Sequence, residues 1–149
     1  MKPFRLQTIL EYRQRLEDEA HKALMLSIEE QNQLIAERDA EQAAVNRLGR
    51  ECEEAKTNQV QLQEIMLYDE CLVVKKRQVL VCEHKILEQE KIVRQKQEAL
   101  TKARQEKRIL EMLKEKRSAA EKERQEQQEK AFLDELGVLN FGGRYDRSL

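Results

Sequence analysis

Apolar residues along this chain recur at the seven-residue spacing of a coiled-coil seam, in two separate registers. Counted from Leu6, the first register places a and d positions over residues 6–55. Nine of its fifteen positions are apolar: Leu6, Leu10, Ala20, Leu24, Leu34, Val45, Leu48, Cys52 and Ala55. The second covers residues 61–110 and collects ten of fifteen: Ile65, Tyr68, Leu72, Val79, Cys82, Ile86, Val93, Leu100, Ala103 and Leu110. A chain that is 40% hydrophobic would fill about six in either case, so both are enriched. Continuing the first register leads to 59 and 62, whereas the second requires 58 and 61, so the phase slips within residues 56–60. Thr57 and Asn58 in that segment are weak helix formers, and Asn58 with Gln61 three residues on has the form of a capping box.

A turn at the slip makes an antiparallel hairpin, in which facing residues have a constant index sum. The registers pair 6 with 110, 24 with 93, 34 with 82 and 48 with 68, at sums of 116 or 117. Half of 116 is 58, where the slip already lies. The predicted organisation is a short tail over 1–3, helix one over 4–56, a turn at 57–59, helix two over 60–136 and a flexible tail over 137–149. At 1.5 Å per residue these helices measure roughly 80 and 115 Å. Helix two is then paired only to about residue 113 and continues singly, supported by pairs such as Glu126 with Lys130. Gly137 is placed as the residue that closes it. The expected fold class is all-α: an antiparallel two-helix coiled-coil hairpin with an overhanging C-terminal helix.

Composition supports long helices and narrows the chemistry. The chain is 38% charged, with one Pro, four Gly, 4% aromatic residues and no Trp, too little bulk for a sizeable globular core. Net charge is −1 and the cations are interleaved with Glu, which argues against a nucleic-acid partner. No apolar run is long enough for membrane insertion and the first residues lack a signal-peptide core, so a cytoplasmic protein is expected. Cys52, Cys71 and Cys82 form no pair with an index sum near 116, so no disulfide is expected. A metal set of Cys71, Cys82 and His84 fails because positions 71 and 82 of one helix lie about 16 Å apart. His21 and His84 do not face each other, and no phosphate loop, nucleophile elbow or zinc-protease motif occurs. The chain reads as a protein without catalytic residues, metal or cofactor.

The stretch CLVVKKRQVLVC, residues 71–82, holds more aliphatic side chains than one seam can use. Leu72, Val79 and Cys82 belong to the seam, while Val73, Val74, Leu80 and Val81, followed by Leu87, fall at b and c positions turned away from helix one. Lys75 at a d position, with Lys76 and Arg77 beside it, keeps the patch cationic as well as apolar. Such a face marks partner binding, self-association included, with an acidic or amphipathic segment as a suitable occupant. A local third helix is the alternative.

The opening FRLQTILEYR, with Phe4, Leu6, Leu10 and Arg13, resembles the start of the flagellar export protein FliJ family. Residues 93–116, VRQKQEALTKARQEKRILEMLKEK, are similar to that family's charged second helix, and LDE at 133–135 to its closing element. The resemblance implies a hairpin similar to the central stalk of rotary ATPases, acting in the bacterial flagellar type III export apparatus and peripherally associated with the inner membrane. It implies that the end bearing both termini binds the hexameric export ATPase and promotes its assembly, here through Phe4, Arg5, Lys107, Arg108, Lys114 and Lys116. It also implies contact with the cytoplasmic region of the membrane export gate protein, for which Val73, Val74, Lys76, Leu80, Val81 and Leu87 are the candidate surface. Some members bind export chaperones. A structural tether, or the equivalent stalk of a virulence type III secretion system, is the competing reading.

Overall fold

The computed structural model describes residues 2–147, and the side chains of residues 5–139. Two α-helices packed against each other make up the fold: α1, Lys2–Thr57, and α2, Leu62–Arg147. No strand occurs among the described residues. The chain divides into two compact units, one pairing residues up to Gln14 with those from Arg104 onward, the other spanning Arg15–Ala103.

The larger unit contains the turn. Thr57 stays helical, its Oγ1 donating to the Glu53 carbonyl at 2.9 Å. Asn58 N–H donates to the Glu54 carbonyl at 2.9 Å, and Val60 N–H reaches back five residues to the Ala55 carbonyl at 3.2 Å. With Gln59 at φ 54°, this six-to-one bond is the Schellman closure of α1. Asn58 therefore ends the first helix instead of capping the second, and the turn occupies 58–61, not the predicted 57–59. Gln61 takes the cap position, its carbonyl accepting from Glu64 N–H at 3.0 Å and Ile65 N–H at 3.4 Å. Glu64 stands in the first turn of α2, where the helix dipole favours a carboxylate.

Every buried residue lies on the predicted seam. These are Leu6, Leu24, Cys52, Ala55, Val79, Cys82, Ile86 and Leu100, with the polar Ser27 and Gln89. Cys52 and Cys82 are free thiols within it, and Cys71 is free and exposed. Helices pair so because the a and d rows give each a continuous apolar strip that the other can cover. Among the described residues no large side chain is completely removed from water, since a partner helix covers one side only.

Polar contacts lock the alignment. In the larger unit, Lys75 Nζ donates to Glu41 Oε2 at 3.1 Å, and Cys52 Sγ lies 3.9 Å from Asp69 Oδ1. Gln89 Nε2 donates to the Ser27 carbonyl at 2.9 Å and to Glu30 Oε2 at 3.3 Å. The index sums of the Lys75–Glu41, Gln89–Ser27 and Cys52–Asp69 pairs are 116, 116 and 121, whose halves bracket the observed turn. In the other unit Arg13 Nη1 meets Glu106 Oε2 at 2.6 Å, Lys107 Nζ meets Gln14 Oε1 at 2.8 Å, and Lys114 Nζ meets Gln7 Oε1 at 2.7 Å.

The helix bounds differ from the sequence expectation at both ends. α1 begins at Lys2, because Pro3 falls in a first turn where its missing N–H removes no helical bond. α2 does not stop at residue 136 but runs through Gly137 to Arg147. No described glycine has a positive φ, so Gly137 does not form the left-handed cap assigned to it. A glycine permits a helix to end without compelling it, at a cost of about 1 kcal/mol relative to alanine when the helix continues. Every residue over 112–139 is exposed.

Three substitutions test the stability of this arrangement. Gln59→Gly removes a side chain from left-handed backbone and should raise unfolding free energy by about 0.5–1 kcal/mol in urea titration. Leu100→Ala, at a residue only 4% exposed, should lower it by about 2–3 kcal/mol. Leu133→Ala, on an exposed position of α2, should stay within about 0.5 kcal/mol of the parent.

Candidate functional site

A face of α2 within the larger unit is built from two rows of aliphatic side chains. Met66, Val73, Leu80 and Leu87 follow one another at intervals of seven residues, as do Leu67, Val74 and Val81. A seven-residue step advances two turns less about 20°, so each row tracks the supercoil already set by the seam and remains opposite it. Val73, Leu80 and Leu87 are 51%, 64% and 57% exposed, and Val74 and Val81 are equally open. Leu62 and Ile92 extend the face at either end. Nothing in the seam accounts for these residues, because they point away from α1.

Between the rows runs a line of polar residues at the same spacing, Glu70, Arg77, His84 and Lys91, all exposed. Lys76 and Lys85 flank the face, also exposed. Among the described residues Lys76, Arg77 and Lys85 form no ion pair, whereas Lys91 Nζ pairs with Glu88 Oε1 at 3.2 Å. Lys75, a d position that the sequence also counted toward this cationic patch, points into the seam and is held there by Glu41. The positive charge beside the aliphatic rows comes from Lys76, Arg77 and Lys85.

The other candidate residues all fall in the smaller unit. Arg5 and Lys116 are exposed, and the Phe4 side chain lies outside the described residues. Lys107 is held by Gln14 and by Glu111 at 3.7 Å, Lys114 by Gln7, and Arg108 by Glu111 at 3.3 Å and Glu115 at 3.6 Å. Half of the six are thus engaged in the helix pair or along α2, which leaves less free positive charge than the sequence suggested. An open groove of about 750 Å³ runs beside these contacts, lined by Gln7, Leu10 and Glu11 of α1 and by Lys107, Lys114 and Ser118 of α2. Among the described residues no three His, Cys, Asp or Glu side chains converge on a metal position.

Sequence reasoning missed two groups. Met66 and Leu67 complete the rows by their seven-residue spacing from Val73 and Val74, a signal present in the sequence but outside the stretch singled out. Phe132, Leu133, Leu136 and Leu139 form a second exposed apolar strip on α2, at the three- and four-residue intervals of one helix face. The expectation of a helix end at Gly137 divided that pattern.

No described helix is long and apolar enough to cross a membrane. The family model described as Flagellar FliJ protein matches residues 1–145, which takes in both helices and the turn. No curated protein and no solved structure matches the chain. By the extent of that match, the chain belongs to the FliJ family.

Proposed function

We propose that this chain is a non-enzymatic stalk that links two parts of the flagellar export machinery through two separate exposed faces. Family membership makes it a component of the flagellar export apparatus. The aliphatic rows of α2 dock the cytoplasmic region of the membrane export gate protein, and the smaller unit binds the hexameric export ATPase and promotes its assembly. These contacts bring the chain to the inner membrane peripherally, without insertion. Export chaperones are further partners of the same exposed surfaces.

The observation that carries the reading is the double row of exposed aliphatic residues opposite the seam. Burying a Leu or Val side chain contributes roughly 1.5–3 kcal/mol, so a few of these residues can supply most of the binding energy. Lys76 and Arg77 add charge selection at the rim. For the ATPase, the corresponding support is the exposed strip from Phe132 to Leu139 in the unit that contains the N-terminal end of α1.

Leu80→Asp should weaken binding of the purified chain to the gate's cytoplasmic fragment at least tenfold in calorimetry, with unchanged helicity by circular dichroism. Retained affinity would remove the aliphatic face as the gate contact. Leu136→Asp should abolish stimulation of the export ATPase and leave gate binding intact; stimulation equal to that of the parent chain would exclude the α2 strip from the ATPase contact.

A further inference from the structure

The polar line between the aliphatic rows selects one way for this face to pair with a copy of itself. In a two-fold antiparallel pairing, residue i of one chain faces residue j of the other and the reverse holds equally, so the index sum is again constant. At a sum of 147, Val73 faces Val74, Met66 faces Val81 and Leu67 faces Leu80, each twice. The same register sets Glu70 against Arg77, also twice. Row meets row, and the central acid meets the central base.

Neighbouring registers do worse. Moving the pairing by seven residues to a sum of 140 sets Glu70 against itself, and to 154 sets Arg77 against itself. A sum of 161 sets Glu70 against Lys91 and Arg77 against His84, but it puts Val73 against Glu88 and Leu67 against Arg94, which breaks the meeting of the rows. A parallel two-fold pairing puts every charge against its own copy. Like charges face to face are unfavourable, so the rows supply attraction and the Glu70–Arg77 pair supplies the register.

We infer that two copies of this chain associate weakly through α2, antiparallel about Val73 and Val74, with reciprocal Glu70–Arg77 pairs. All the residues involved are exposed and lie in the larger unit. The paired stretch, residues 66–81, covers about 24 Å of helix at 1.5 Å per residue. That is a small contact, in the class of transient interfaces, and the dimer dissociates in the micromolar range or above. The association itself does not depend on the gate reading. One consequence rests on it: dimerisation covers the gate-docking face, so the gate fragment and the second copy compete.

Analytical ultracentrifugation of the full chain, reduced, from micromolar to millimolar concentration tests this by charge exchange. The parent should shift from a 17.7 kDa monomer toward twice that mass. Glu70→Arg and Arg77→Glu should each weaken the dimer at least tenfold, and the double variant Glu70→Arg/Arg77→Glu should return to within about threefold of the parent. A monomer at every concentration, or a dimer indifferent to the single changes, would overturn the inference. If an acidic segment of another protein is the occupant instead, the chain stays monomeric and Arg77→Glu alters only heterologous binding, which also overturns it. Adding the gate fragment should dissolve the dimer. A dimer that obeys the charge exchange but ignores the fragment would overturn the gate reading and leave the self-association standing.

Discussion

Two helices can cover only one strip of each other, and that limit governs everything else in this protein. Among the described residues the buried side chains of α1 and α2 all stand in the a and d rows, and even there each keeps an edge toward water. Stability therefore depends on a run of partly buried contacts, such as Leu24 at 5% exposure and Ile86 at 6%.

A long seam of small apolar contacts can slip, and the polar layers oppose this. Gln89 is buried opposite Ser27 and satisfied by a backbone carbonyl and Glu30. Glu41 with Lys75 and Arg13 with Glu106 mark two more levels, one in each unit. Each polar group in a seam costs some apolar burial and is favourable only when its partner is opposite, so the aligned register gains over its neighbours. The Schellman closure at Gln59 fixes where the chain reverses.

Seam and fold class were legible in the sequence because heptad spacing reports directly which face of a helix is buried. Among the described residues all ten buried ones, Ser27 and Gln89 included, stand at positions given by the two registers. The turn was legible to within two residues. Its chemistry was not, since the left-handed position is filled by Gln59 where Gly or Asn would have signalled it, and Asn58 beside it suggested a cap of the other helix. Gly137 misled in the opposite direction, as a glycine whose backbone stays helical. The outward rows were half visible. Val73, Val74, Leu80, Val81 and Leu87 stood out within a dense stretch, and Lys75 stood at a d position of the register, but its partner Glu41 was not legible. The ion pairs that engage Lys107, Arg108 and Lys114 depend on which acids and amides lie one turn away or across the helix pair, which composition does not reveal.

The covered seam and the open outer faces fit the two contacts proposed for this chain. The aliphatic rows near the turn and the exposed apolar strip at residues 132–139 lie in different units, so each can be occupied by its own partner. Hydrogen–deuterium exchange of the intact chain, with the gate fragment and with the export ATPase added separately, measures this most directly. The account predicts that the gate slows exchange over residues 62–92 alone and that the ATPase slows it over residues 104–139. Protection of one and the same stretch by both partners would contradict it.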